Sequence, residues 1–309
     1  MEQNQIQARR LGGLRRFAIS ITVFNIIGRL LLGFEQSWAQ MFAAAITAYV
    51  VELGLEWVSA RTTGRAPKFR GGFRTLVDYL LPAHIASMAI SMLLYSNDRV
   101  GPIMFAVIVA IASKSILRLR INGSSRHFFN PSNLGIATTL VVFPWVGIAP
   151  PYHFTENLSG IGDWILPVAI ALAGTMINSK FTGKMPLILA WLGTFALQAI
   201  GRSLVLGTPV VSALGPMTGV AFILFTFYMI TDPSTSPLDP RSQVFFGMAV
   251  AITYMVLVLS HIVFGLFFAL TIVCGLRGIG LYLQAQLARF TQRNVVVSPQ
   301  PALRTGNKL

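Results

Sequence analysis

Two short stretches of this chain hold most of the side chains that could bind a polar group or do chemistry. The first is Asn130-Pro131-Ser132-Asn133, which follows a basic run containing Lys114, Gly123 and Arg126. Proline suits the first turn of a helix and Asn130 suits its cap. Two readings are open here. The residues cap a helix and nothing more, or Asn and Ser side chains and the free N–H groups of a helix start face an anion or a polar ring. The second stretch is Thr231-Asp232-Pro233-Ser234-Thr235-Ser236, running on to Arg241. Asp, Pro and Ser form tight turns, so a simple interhelical turn is one reading. The other is a binding wall, because Asp232 directly abuts the apolar run AFILFTFYMIT and the hydroxyls outnumber what a turn needs.

Three acids form a further group: Glu52, Glu56 and Asp78. Glu56 is expected to pair with the basic loop that follows it. Glu52 and Asp78 are candidates for an ion or proton path, since charges at membrane depth are costly. A salt bridge to Arg70 or Arg74 is the alternative. Pro82 follows Asp78 by one turn, as Pro216 follows Ser212. Helices interrupted at matching places in two halves point to an internal repeat with a site at the midplane.

The elements that must position these residues follow from composition. Only 11% of the 309 residues are charged, against roughly a quarter in soluble domains. Apolar residues make up 54%, and the mean hydropathy is +0.66. A soluble globular enzyme and a disordered chain are both excluded. One cysteine, Cys274, excludes a disulfide scaffold and an iron–sulfur cluster. Walker, dinucleotide-binding and zincin motifs are absent. His84, His127, His153 and His261 lack ligand-pair spacing, which argues against haem.

A helix needs about 20 mainly apolar residues to cross a bilayer. Ten such stretches lie near 17–34, 38–58, 75–95, 100–117, 128–148, 163–179, 185–201, 208–231, 243–259 and 262–283. The first reads as an uncleaved helix. With the N-terminus inside, every Lys and Arg except Arg29, Arg99 and Arg202 falls on the cytoplasmic side. The net charge of +14 is then a rim against anionic headgroups. It is not a nucleic-acid surface, because no aromatic platform interleaves the charges. The expected fold is an all-α polytopic membrane protein of about ten transmembrane helices, arranged as a 5+5 inverted repeat. It forms one domain over 1–289, with halves at 17–148 and 163–283. Residues 290–309 are expected to be a mobile cytoplasmic tail.

The run 112–144, with Lys114, Phe129-Asn130-Pro131 and Phe143-Pro144, resembles the NqrB/RnfD family. So does Tyr228-Met229-Ile230-Thr231-Asp232-Pro233-Ser234-Thr235-Ser236, and the segment 174–193 is a looser match. Glu52 and Asp78 fall where such proteins carry acids. The resemblance covers about 40–285. It implies a urea-transporter-like fold in the bacterial inner membrane, with both termini cytoplasmic. It also implies a flavin, FMN or riboflavin, between broken helices, and transmembrane electron transfer to a partner protein or quinone, coupled to cation movement. Lys114, Arg126, Asn130, Pro131, Ser132 and Asn133 would form one side of the flavin site. Thr231, Asp232, Ser234, Thr235 and Ser236 would form the other. The family anchors FMN on the Thr of a Ser-Gly-Ala-Thr motif. Here the nearest string is Ser159-Gly160-Ile161-Gly162, and Thr155 and Thr218 lie outside that pattern. A non-covalent flavin is therefore expected. Three other questions stay open: a small-solute or ion transporter on the same fold, with Pro82, Ser212 and Pro216 in its pathway; a non-catalytic assembly subunit; and the homo-oligomeric state.

Overall fold

The computed structural model describes residues 2–121, 124–148 and 159–296. Eleven α-helices carry the fold: α1 (Glu2–Ile27), α2 (Trp38–Thr62), α3 (Phe73–Leu93), α4 (Gly101–Ile116), α5 (Pro131–Val142), α6 (Gly162–Ile177), α7 (Met185–Leu206), α8 (Val210–Leu214), α9 (Val220–Leu224), α10 (Pro240–Leu259) and α11 (Gly265–Val296). Each apolar stretch falls on a helix or on a helix broken midway. Among the described residues, six helices are long and apolar enough to cross a membrane, and a seventh crossing follows if the bent pair α8–α9 counts as one. The chain is thus an all-α, multi-pass membrane architecture.

Ten full-length crossings are not what the helices show. At 1.5 Å per residue, α4 and α5 reach only about 24 and 18 Å. The fifth stretch, expected over 128–148, is helical only from Pro131 to Val142. Pro144 accounts for the stop, because a residue preceding proline is pushed out of the α region. Past it the chain becomes extended, and β4 (Gly147–Ile148) pairs antiparallel with β1 (Leu94–Tyr95) at the end of α3. A second antiparallel pair, β2 (Arg118–Ile121) with β3 (Ser124–His127), forms the hairpin that occupies the basic run before Asn130. Helix α11 stays helical to Val296.

The broken helices are not a matched pair. Despite Pro82, α3 is continuous from Phe73 to Leu93. A lone interior proline removes one N–H and crowds the carbonyl four residues earlier, which here is Asp78's, without forcing a break. The eighth stretch carries Gly215-Pro216 and Gly219, and there Val210–Thr218 and Val220–Met229 meet at 62°.

Helices α2, α3, α4 and α5 pack together in the first half, and α7, α10 and α11 in the second, with α11 also against α5. Two glycines set the closest approaches. A Cβ at Gly135 on α5 would lie 2.3 Å from the Ala106 carbonyl of α4. One at Gly247 on α10 would lie 2.7 Å from the Leu187 carbonyl of α7. Where lipid tails are as apolar as the core, such backbone contact is what holds helices together. The core around α7 is aromatic: Trp191 packs on Phe195, Phe222, Phe225 and Tyr254.

Helices α1 and α6 end alike. Each finishes in one wider π turn, Gly28–Leu32 and Asn178–Thr182, closed by a left-handed glycine, Gly33 and Gly183. The next residue donates back to the first carbonyl of that turn, Phe34 to Gly28 at 3.0 Å and Lys184 to Asn178 at 3.1 Å.

Candidate functional site

Asn130 joins the two polar stretches. Its backbone is extended, as a cap requires, and its Oδ1 accepts from the Asn133 N–H at 3.0 Å and the Ser132 hydroxyl at 2.9 Å. Its Nδ2 donates across 99 positions of sequence to the Met229 carbonyl at 3.1 Å. The side chain caps α5 and also ties it to the last turn before Thr231. Pro131 fills the first turn. Asn133 donates to the Phe267 carbonyl at 3.0 Å and to the Thr271 hydroxyl at 2.9 Å, which fixes α5 on α11. Its Oδ1 is buried without a partner. A buried, unpaired acceptor costs about 1–3 kcal/mol, so it marks a place that a donor would fill.

The second stretch is a tight turn built on Asp232. Its carboxylate accepts from the Ser234 N–H and the Thr235 hydroxyl, both at 3.1 Å. Its carbonyl accepts from the Ser236 N–H at 2.9 Å and the Ser236 hydroxyl at 2.7 Å. Thr231 bonds back to the Phe227 carbonyl. The hydroxyls that exceeded the needs of an exposed turn are consumed because the turn is buried: Thr231, Thr235 and Ser236 are all inside.

Two cations stand beside this turn. Lys184, only 1% exposed, donates to the Pro237 carbonyl. Arg277 of α11 donates to the Thr235 carbonyl at 2.6 Å. Burial pulls the Lys184 ammonium below the ordinary lysine range, Arg277 pushes the same way and Asp232 opposes them. Cys274, one turn before Arg277 on α11, is also buried, and the Asn130 backbone N–H faces its sulfur. Residues 184, 271, 274 and 277 carry no local motif. Only the fold brings them to residues 130–133 and 231–236.

The other expected site residues lie elsewhere. Lys114 pairs with Glu52 at 3.0 Å, linking α4 to α2. Arg126 stands exposed on β3. Asp78 is gripped by Arg15 of α1, Nε to Oδ1 at 2.7 Å and Nη2 to Oδ2 at 2.5 Å. The partners of Glu52 and Asp78 are thus Lys114 and Arg15, not Arg70 or Arg74. These contacts span 62 and 63 positions, beyond what local spacing reveals. Glu56 does pair with its following loop, through Arg65 and the Lys68 N–H. Pro82 and Ser212 are exposed, and Pro216 is half-buried at the bend. Thr155 lies outside the described residues, and Thr218 bonds the Gly215 carbonyl.

One further polar pair escaped the motifs. Gln198 and Arg202 sit one turn apart on α7. Both amide atoms of Gln198 and one guanidinium nitrogen of Arg202 are buried without partners. A lone glutamine in an apolar run gives no such signal by itself.

Against known proteins, the chain matches no family model and no curated sequence.

Proposed function

We propose that this chain is a divergent NqrB/RnfD-type membrane protein that holds a flavin non-covalently where α5 and α11 meet the turn at 231–236. The observation that carries the reading is the Asn130–Met229 hydrogen bond, which makes one buried polar cluster of the two motif segments. The support for a flavin ring rests on one open group in a wall of satisfied ones. Asn130, Ser132, Thr231, Thr235 and Ser236 are spent on one another and on backbone, so they build the wall. The open group is Asn133 Oδ1, an acceptor suited to a ring imide N–H. Lys184 and Arg277 supply positive charge beside the adjoining turn at 231–236, which favours an electron-rich ring. A bound flavin would supply the redox chemistry, with the protein providing binding and electrostatics. Electrons would pass to a partner protein or a quinone.

Ten membrane elements in a 5+5 inverted repeat belong to the same proposal. Support comes from the matching ends of α1 and α6. With the N-terminus cytoplasmic, the first capped end faces outward and the second faces inward, as two oppositely oriented halves require. The chain then resides in a bacterial inner membrane with both termini inside.

Protein purified in mild detergent is expected to show flavin absorbance, with the flavin released by acid. Asn133→Leu should lower occupancy strongly while leaving the protein monodisperse. A colourless protein that stays colourless after addition of FMN or riboflavin overturns the reading.

A second reading is favoured by Gln198 and Arg202. They lie on α7, which packs against the bent pair α8–α9. Unpaired polar groups beside a broken helix are what a small-solute transporter presents to its substrate. Solute uptake into proteoliposomes that is lost in Gln198→Leu, together with absence of flavin, selects this reading.

A further inference from the structure

The C-terminal end of α2 carries a cavity that neither functional reading uses. Along α2, Trp38, Phe42, Ile46, Val50, Trp57 and Val58 are exposed. Trp38, Phe42, Ile46 and Val50 recur every fourth residue and Trp57 continues their face, so these five form one stripe, the face that meets acyl chains in a bilayer. The stripe ends at Arg61, whose guanidinium lies 4.6 Å over the Trp57 ring. Immediately beyond is a cavity of about 470 Å³ lined by Trp57, Arg61, Arg65, Phe69 and Arg70 among others.

The loop around this cavity is held in shape. Gly64 adopts φ 65°, in the left-handed region, and lets the chain reverse after α2. Glu56 is 6% exposed, and it takes Arg65 on both oxygens and the Lys68 N–H at 2.8 Å. Arg65 is thereby neutralised. Among the described residues, Arg61 and Arg70 have no carboxylate partner. Two uncompensated guanidiniums therefore face a preformed cavity, next to an aromatic ring and at the foot of a lipid-facing stripe.

We propose that this cavity binds the phosphate headgroup of an anionic phospholipid whose acyl chain lies along the α2 stripe. Guanidinium recognises phosphate through paired, charge-assisted hydrogen bonds. The stripe selects a lipid over a soluble phosphate, because a soluble ion has no use for it. Trp57 fits the interface, where an indole has one face in hydrocarbon and one edge in the headgroup layer. The site stands whether the chain carries electrons or solutes.

Native mass spectrometry of the full chain, titrated with phosphatidylglycerol or with phosphatidylcholine of the same chains, tests it. Preferential retention of one phosphatidylglycerol is expected. The double variant Arg61→Gln/Arg70→Gln should bind it roughly thirtyfold more weakly, from two headgroup contacts. The control Arg118→Gln/Arg126→Gln removes equal charge from the hairpin and should bind normally. Equal loss in both variants reduces the site to diffuse surface charge and overturns the proposal. A parallel measurement needs no variant: thermal stabilisation of the unaltered protein by phosphatidylglycerol and not by glycerol phosphate. Equal stabilisation by glycerol phosphate makes the site one for soluble phosphate and overturns the lipid assignment.

Discussion

The ends of α1 and α6 share a π turn, a left-handed glycine and an asparagine that reaches a neighbouring helix, yet they anchor different things. In the first, Asn25 donates to the Ile21 carbonyl at 2.9 Å and to the Met88 carbonyl of α3 at 3.4 Å. Its Oδ1 accepts from Arg29 at 2.7 Å and from Ser91 at 3.3 Å. In the second, Asn178 donates to Gly174 and Phe227, both at 2.9 Å, and its Oδ1 accepts the Thr182 hydroxyl at 2.8 Å. The first corner thus holds a cation against a continuous helix. In the second the side-chain partners of the asparagine are all neutral, and it holds the π segment Phe225–Met229, the same segment whose last carbonyl receives Asn130. One device serves as a strut in one half and as the mount of the candidate site in the other.

The sharpest way to break this comparison is to remove the asparagines in turn. Asn25→Leu leaves part of the Arg29 guanidinium without its acceptor in a buried setting, and should cost about 3 kcal/mol. Asn178→Leu leaves the Thr182 hydroxyl without its acceptor and removes one of the two donors on the Phe227 carbonyl, which keeps Thr231, so it should cost only about 1 kcal/mol. Thermal unfolding in detergent, followed by size-exclusion fluorescence, ranks the two. If Asn178→Leu is the worse, the charged corner is not the stiffer one.

Glycine substitutions probe the same contrast from the packing side. An added Cβ at Gly174 would lie 2.5 Å from the Cβ of Phe227, an atom tied to the backbone. One at Gly28 would meet the ring of Phe34, whose side chain can turn. Gly174→Ala should therefore cost about 2 kcal/mol and Gly28→Ala less. Because Phe227 precedes Met229 by two residues, Gly174→Ala should also lower flavin occupancy, whereas Gly28→Ala should leave it unchanged. The smallest effect, no larger than that of Asn178→Leu, is expected for Thr182→Val, about 1 kcal/mol from one hydrogen bond, with flavin retained.

What was legible in the sequence follows from which forces act locally. The apolar runs were, because hydrophobic length needs no partner to be read. So was the cap at Asn130 and the turn at Asp232, since both are built from neighbours. The break at Gly215-Pro216 was legible too, but Pro82 gave a false match, because one proline bends a helix only where the surroundings let go of the next turn. The π turns left no trace: GRLLL and NSKFT share only the glycine that follows. Nor could spacing assign Arg15 to Asp78 or Lys114 to Glu52, where packing of α1 on α3 and α2 on α4 decides the pairing.

One feature of the site gives it a clock. Cys274 is the chain's single cysteine and is 1% exposed against Asn130. A thiol reagent can reach it only when α5, α11 and the 231–236 turn part company. The rate of its alkylation in the unaltered protein is therefore a direct count of how often this region opens, and whatever binds there must slow that count.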